Sequence, residues 1–504
     1  MVLTFRHNDL NRLLPLKELL APLGGGAKIV SGPSDLQVSG VEIDSRHINA
    51  GNLFIAVNGT NTRGILFAKD ALDRGASAIA CCVDELSEIR EQDWKAVITL
   101  DDPRWSAGIL ASRFWDNPSR KLCLIGITGT NGKTTTSYLL ESIWRVAGLK
   151  TGVIGTVNYR ILAEDIPATV TTPDPVRLQA ILHDMVLAGV NAVALECSSH
   201  ALQQDRVNGC RFAGAVFTNL TQDHLDYHID MESYFKAKAR LFNLYTPSFS
   251  VINTDNRWGI GLWNTIIGRK ISYGFNQVAM IRPLKWTQDK SGIKARLITP
   301  KGMVDIETRL LGRHNLYNIM AAVGVCVSMD IDLYKIALGV AALPSVPGRS
   351  ERVDSPEGIT ALVDYAHTPD ALSSVLDSLS SIDGARILLV IGCGGDRDRT
   401  KRPLMAKIAV SRADVVIFTS DNPRSEPPEQ ILDDMLQELS TEERNKVQVI
   451  PDRREAIFKM AGIATAGDIV LVAGKGHETY QIIGSKKYPF DDRLVLKEAF
   501  QAAG

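Results

Sequence analysis

The chain has 504 residues, 45% apolar and 22% charged, with a formal net charge of −1. Near-neutrality gives no electrostatic drive toward nucleic acid or a membrane surface, and the length exceeds a single core, so roughly two to four domains are expected. Seven scattered cysteines with no Cys-x-x-Cys pair argue against a disulfide frame or a zinc site.

The opening MVLTFRHNDLNRLL has no long apolar core and no cleavage site, so no signal peptide is expected. No apolar run reaches the ~18 residues of a membrane span. A cytoplasmic protein is the expectation. Residues 1–118 read as a small α/β domain. Val41–Arg46 is a short strand running into a polar loop, Asn52–Gly59 a β-rich run closed by Asn-Gly, Ala68–Gly75 helical, and Ala76–Val83 an apolar strand. The pair Ser45-Arg46 either holds a polar ligand or is a solvated loop. The polar, proline-bearing Trp115–Arg120 is the first boundary.

Residues 119–344 form the second unit. The apolar run Leu122–Ile127 leads into Thr128-Gly-Thr-Asn-Gly-Lys-Thr-Thr135 and a helical pattern. This is the layout of a phosphate-binding loop: glycines let N–H groups approach phosphates, Lys133 reaches the terminal ones, and the Thr134 hydroxyl can ligate Mg²⁺. The strict spacing wants glycine at 127; it stands one place earlier, at Gly126. Strands and helices then alternate: Thr151–Val157, the extended Val170–Pro175, helical Val176–Gly189, the strand Ala192–His200 with its polar tip, and Ala213–Leu220 before Thr221–His228. Glu196 and His224 fall at strand tips on the expected edge of Lys133, where ligands collect. Glu196 is either a metal-binding carboxylate or half of an ion pair.

The helix predicted over 233–245 carries an unexpected residue. At ~100° per residue, Tyr234, Phe235, Leu241, Phe242 and Tyr245 share a face, and Lys238 lies in its middle. Lys236 and Arg240 fall opposite, where a solvated pair belongs. Lys238 either snorkels to the rim or is a buried, neutral amine open to modification by CO₂. Residues 270–310 look β-rich, with Ile293–Ile298 alternating. Asn315 and Asn318 share a helical face, and either read a purine edge or cap the helix.

Leu343–Arg349 is the second linker. In residues 345–504, the strands Thr360–Asp364, Arg386–Ile391, Asp414–Ser420 and Asp468–Ala473 each end in a charged, Gly- or Pro-marked loop. That predicts a Rossmann-like, doubly wound domain with its ligand along one edge. Arg397 and Arg424 beside Asp421 and Glu478 suit a zwitterion.

Gly-Thr-Asn-Gly-Lys-Thr-Thr, Glu196-Cys-Ser-Ser-His, Asp223-His-Leu-Asp-Tyr-His, His314-Asn-Leu-Tyr-Asn, Gly348-Arg, Asp364-Tyr-Ala-His-Thr-Pro and Gly474-Lys-Gly-His-Glu together resemble the Mur ligases over essentially the whole chain. These are ATP-dependent, amide-forming enzymes of peptidoglycan synthesis, in which the shifted glycine is usual. The resemblance implies an α/β protein of three domains: a small N-terminal domain binding a UDP-linked substrate, a central P-loop ATPase domain and a C-terminal amino-acid-binding domain. ATP and Mg²⁺ are the implied cofactors. UDP-N-acetylmuramoyl-L-alanyl-D-glutamate and meso-diaminopimelate are the implied substrates, and the chain is expected to act as a monomer. ATP would meet Gly129, Thr130, Asn131, Gly132, Lys133, Thr134, Thr135, Asn315, Arg349, Asp364 and His367. Metal would be held by Thr134, Glu196, His224 and Lys238, the last at the family's carbamylated lysine (N6-carboxylysine). Ile43, Ser45, Thr60, Asn61 and Thr62 would hold the uridine part, and Thr171, Thr172, Ser198, Gln204 and Arg206 the muramoyl-dipeptide. Arg397, Asp421, Asn422, Pro423, Arg424, Gly474 and Glu478 would take the amino acid, with Arg424 marking diaminopimelate over lysine. Arg63 stands where the family often has Asp, and Pro173-Asp174 replaces a Gly-Ser pair. Two other readings stay open: folylpolyglutamate synthetase, and a catalytically silent nucleotide-binding partner.

Overall fold

A computed structural model describes residues 12–59, 62–89, 92–382 and 384–503. The expectations placed on residues 1–11 and on Thr60 and Asn61 lie outside the described residues.

The first sheet has five strands in the order Ala27–Ser31, Ala96–Leu100, Ala78–Cys81, Leu53–Ile55, Val41–Glu42. The helix Pro103–Phe114, capped by Asp102, covers one face and buries Leu110 and Phe114 against Leu53, Ile55 and Ile98.

The central sheet has eight strands. Six parallel ones run Thr151–Ile154, Ala192–Glu196, Cys123–Thr128, Gly214–Phe217, Phe249–Asn253, Arg269–Tyr273. Their continuous apolar character fits a sheet buried on both faces, and separate cores fill the two sides. The register pairs Glu196 with Ile127 and Phe217 with Thr128, so these three strands end level. An antiparallel hairpin, Asn158–Ile161 with Glu164–Pro167, extends the sheet where only a loop after a longer strand is expected. The alternation in 270–310 becomes a three-stranded antiparallel sheet, with Ile293, Ala295 and Leu297 buried and Lys294 exposed.

The third sheet has the order Glu351–Val353, Thr360–Asp364, Ile469–Ala473, Ile387–Ile391, Val415–Phe418, Val447–Val449. Asp364, Ala473, Ile391 and Phe418 are aligned across it, so the four polar loops leave from one edge. Beneath that edge the Arg453 guanidinium meets Asp492 through bonds of 2.8 and 2.7 Å, and donates to the carbonyls of Ser420 (3.2 Å) and Ala473 (3.0 Å). Both side chains are 0% exposed. Asp492→Ala strands a buried cation and is expected to destabilise the C-terminal unfolding transition by about 3–5 kcal/mol in urea. The double change Arg453→Met with Asp492→Leu should recover most of that; a single-variant loss under about 1 kcal/mol would contradict the argument.

The Lys238 helix spans Met231–Asn243, two residues earlier than expected, because the Asp230 carboxylate caps it at Ser233 N (2.7 Å). Of the expected solvated pair only Lys236 is exposed; Arg240 is ion-paired with Asp205, which draws it in.

Candidate active site

The phosphate loop leaves the centre of the middle sheet, and the helix Lys133–Val146 starts at its end. Lys133 is folded back, its Nζ donating to the carbonyls of Gly129 and Thr130 at 2.9 Å each. Burial lowers its pKa. The Thr134 hydroxyl donates to Glu196 Oε2 at 3.1 Å. Thr156, which no sequence motif marks, holds the same carboxylate through its hydroxyl (2.8 Å) and its N–H (3.3 Å). Glu196 is thus oriented by neutral donors at the mouth of the loop.

Gly155 makes that approach possible. A Cβ there would lie 2.3 Å from Glu196 Oε1. Gly155→Ala is therefore expected to displace the carboxylate and lower kcat by about 10²-fold, with the thermal transition little changed. Unchanged kcat in a folded variant would show that Glu196 need not sit there.

Lys238 is 1% exposed, so it does not snorkel. Its Nζ donates to the carbonyl of Gly129 at 2.8 Å and lies 4.5 Å from the centre of the Tyr234 ring. Two lysines therefore converge on one carbonyl. Burial, and then the charge of Lys133, hold the Lys238 amine well below the ordinary lysine range. His224 stands nearby with φ +54, a conformation that costs a non-glycine residue about 1 kcal/mol or more. Desolvation draws its pKa down to about 4, partly opposed by Asp223, whose carboxylate lies 3.4 Å from Nε2.

A cavity of about 670 Å³ opens beside the loop, lined among others by Thr135, Asn315, Asn318, Arg349 and Asp364. The two asparagines do not cap their helix, whose N-terminal position is taken by Gly312. Asn318 Nδ2 donates to Asn315 Oδ1 (3.1 Å), and Asn315 Nδ2 to the Leu311 carbonyl (2.7 Å). Asp364 accepts from Ser350 N (2.6 Å) and Ala366 N (2.7 Å), tying the linker to the third sheet. Arg349 lies 4.7 Å from the centre of the Tyr365 ring, and His367 Nδ1 is 2.8 Å from the Tyr365 carbonyl.

On the other side of Glu196, the Thr172 hydroxyl donates to the Glu196 carbonyl (2.7 Å) and accepts from Ser198 N (3.1 Å). Arg206 donates to the Thr172 carbonyl (3.0 Å) and to Gln204 Oε1 (2.8 Å). Thr171 and Thr156 share a hydroxyl contact of 3.1 Å. These residues form one patch. Ile43, Ser45 and Thr62 belong to the first sheet's loops, with Ser45 buried and Thr62 exposed. The neighbouring Glu42 carboxyl is pushed up to about 7 by burial, with the nearby charge of Asp174 in the second unit adding to the rise. Arg63, the departure from the family pattern, pairs with Glu85 and Glu88.

A cavity of about 910 Å³ joins the middle and C-terminal units. Asp223, His224 and His200 line it from one side; Arg397, Asp421, Asn422, Arg424, Gly474 and Glu478 from the other. The motifs assign no role to Asp223, which opens one of them, or to Lys401, whose Nζ donates to the His367 carbonyl at 2.9 Å. Pro423 acts through its backbone: its carbonyl would lie 1.9 Å from a Cβ on Gly395, so only glycine lets the two loops meet.

Three family models match the chain: Mur ligase family, catalytic domain, over residues 37–114; Mur ligase middle domain over 127–326; and Mur ligase, glutamate ligase domain, over 348–476. The UDP-N-acetylmuramoyl-L-alanyl-D-glutamate–2,6-diaminopimelate ligase of Geobacter metallireducens is 43% identical, covering 97% of this chain and 98% of that protein. The enzyme of the same name from Geobacillus kaustophilus is 45% identical over 92% of this chain and 95% of its own. A solved structure under that name is 35% identical, with a TM-score of 0.71, and covers 97% of this chain and 99% of its own. No described helix is long and apolar enough to cross a membrane. Three consecutive α/β units with a phosphate loop in the second, matched by these models over residues 37–114, 127–326 and 348–476 and by relatives along nearly their whole length, make this chain a member of the Mur ligase family of ATP-dependent, amide-forming ligases.

Proposed function

We propose that this chain joins meso-diaminopimelate to the D-glutamate of UDP-N-acetylmuramoyl-L-alanyl-D-glutamate, driven by ATP, in cytoplasmic synthesis of peptidoglycan precursors. The observation that carries the reading is the 910 Å³ cavity, in which the loop edge of the ATPase unit faces the guanidinium groups of Arg397 and Arg424 and carboxylates that include Asp421 and Glu478. Such a set grips a zwitterion: forks for carboxylates, carboxylates for an ammonium. The names of the relatives supply the substrate pair.

In this reading residues 1–118 bind the UDP part through Ile43, Ser45, Thr60, Asn61 and Thr62. Residues 119–344 hold ATP and the dipeptide, and residues 345–504 the incoming amino acid. Lys133 releases the loop carbonyls to reach the terminal phosphates. Asn315 and Asn318 meet the base; Arg349, Asp364 and His367 meet phosphate and ribose. Thr171, Thr172, Ser198, Gln204 and Arg206 present the D-glutamate carboxylate. That carboxylate attacks the γ-phosphorus, ADP leaves, and the acyl phosphate replaces a poor leaving group with a good one. The diaminopimelate amine attacks the acyl carbon, loses its proton, and phosphate departs.

Mg²⁺ fits the donor set. A hydroxyl and a carboxylate 3.1 Å apart flank the loop, and the low pKa of His224 keeps a lone pair available. Among the described residues no three His, Cys, Asp or Glu side chains gather into a cage, as expected of an ion held mostly by phosphates and one or two carboxylates. Thr134, Glu196, His224 and a carbamate on Lys238 would hold it, and bound there it would spread the charge of the phosphoryl oxygens. The protein is proposed to work as a monomer.

The test is phosphate release from ATP with the nucleotide-linked dipeptide, comparing meso-diaminopimelate with L-lysine. Release with the first and not the second is expected. Preference for lysine would overturn the amino-acid assignment, and activity on pteroylglutamate in place of the dipeptide would overturn the acceptor.

A further inference from the structure

Lys475 is 0% exposed and stands behind the amino-acid side of the 910 Å³ cavity, between Gly474 and Glu478, which line it. Its ammonium donates to Asn422 Oδ1 (3.2 Å), Glu478 Oε2 (3.1 Å) and the Tyr480 carbonyl (2.6 Å). Three donors meet three acceptors, so the group is saturated and fixed in direction. We infer that Lys475 is the positioning residue that sets the span between the two ends of the amino-acid site, and so the length of amino acid accepted. The inference rests on the reading of this cavity given above.

The geometry works outward in two directions. Toward one end, Asn422 Oδ1 takes both Lys475 and Ile482 N (2.9 Å), which turns its amide nitrogen onto Glu478 Oε2 at 2.8 Å. All the described bonds to the Glu478 carboxylate fall on Oε2, leaving Oε1 to the cavity, where it can take an ammonium. Toward the other end, the Tyr480 carbonyl held by Lys475 opens the strand Tyr480–Ile483. That strand grips the backbone of Arg424: Arg424 N donates to the Ile482 carbonyl (3.1 Å), and Gly484 N to the Arg424 carbonyl (2.7 Å). One buried cation thus ties the carboxylate that would meet the amine to the segment carrying the guanidinium that would meet the far carboxylate. A lysine serving only to fill a core has no reason to place its three bonds on these two arms.

The test begins with phosphate release by the unaltered protein, so that failure of the amino-acid reading is told apart from failure of this one. Lys475→Met is then expected to raise KM for meso-diaminopimelate by about 30-fold or more. KM for ATP and for the nucleotide-linked dipeptide should stay within about threefold, and acyl phosphate trapped by hydroxylamine should form at the unaltered rate. Lys475→Arg should recover only part, because a planar fork cannot reproduce three tetrahedral bonds. An equal rise in all three KM values, or an unchanged KM for the amino acid, would overturn the inference. Should Lys475→Met not fold, Lys475→Arg is combined with Glu478→Gln. Coupling of about fivefold or more in that KM supports the inference, and independent effects overturn it.

Discussion

Lys238→Ala is expected to lower kcat by about 10³-fold while leaving the KM for the amino acid nearly unchanged, the size of effect seen when one charge-stabilising group is removed from a phosphoryl-transfer site. The reason lies in the environment of the amine. It is buried on an apolar helix face, its only described hydrogen bond goes to the Gly129 carbonyl at 2.8 Å, and the Lys133 ammonium is bonded to the same oxygen. Keeping two cations there unscreened is costly, so burial and the charge of Lys133 bias the second amine toward its neutral form. A neutral amine adds to CO₂ with loss of one proton, which sets an anion facing the Lys133 ammonium. The controls separate this from a bond that merely braces the loop. Lys238→Arg keeps a donor for Gly129 and should remain inactive, whereas formate or acetate should restore part of the activity of Lys238→Ala. Depleting CO₂ from the unaltered enzyme should lower its rate, and bicarbonate should return it. An active Lys238→Arg, or indifference to CO₂, would leave Lys238 a structural brace.

The phosphate loop, the level ends of the parallel strands and most of the candidate ligands were legible because each is local in sequence: an apolar run, a polar tip, a glycine. The alternation of Ile293–Ile298 gave its sheet for the same reason. What stayed hidden is non-local. Thr156 matters only because the fold sets it 2.8 Å from Glu196, forty positions away. Asp223 and Lys475 sit within motifs and Lys401 in a charged stretch, but what they do depends on distant segments, Lys475 reaching Asn422 and Lys401 the His367 carbonyl. The edge strands Glu351–Val353 and Val447–Val449 are three residues each and half polar, too short for a period to show. Periodicity put Lys238 on the apolar face but could not say whether its tip reached the rim; the tertiary fold closes that rim. The misjudged Arg240 has the same origin, since Asp205 reaches it from another segment.

The two halves of the site belong to different sheets whose strand ends face each other. Asn131 of the phosphate loop donates to Asp370 of the C-terminal unit at 3.0 Å, and Asp223 feels the charges of His367 and Lys401 across the cleft. In the proposed reaction an acyl phosphate formed on one sheet would lie in the same cavity as the amine delivered by the other, so that closing the two units together would shorten its exposure to water. In the proposed reading this arrangement leaves amino-acid choice mainly to the C-terminal loops that carry Arg397, Asp421, Arg424 and Glu478.

Arg424→Lys should accordingly lower kcat/KM for meso-diaminopimelate by about 10²- to 10³-fold while changing phosphate release with L-lysine far less, so that the preference for diaminopimelate collapses. Arg424 sits at φ +52, pinned by Ile482 and Gly484, so its side chain leaves the backbone in an enforced direction. One guanidinium nitrogen is spent on the Gly395 carbonyl at 2.6 Å, and Arg424 also lines the cavity, where its remaining N–H groups form a fork for a carboxylate. A lysine substrate would bring an ammonium to that fork and be repelled; diaminopimelate brings a carboxylate. Lysine at 424 keeps the charge but not the fork, and its flexible stem loses the bond to Gly395, so geometry and not charge is what the variant removes. Because arginine already tolerates the positive φ, the change adds no new backbone strain, and the thermal transition should hold steady. Undiminished selectivity in a folded Arg424→Lys would transfer the specificity role to Arg397, the other guanidinium lining the cavity.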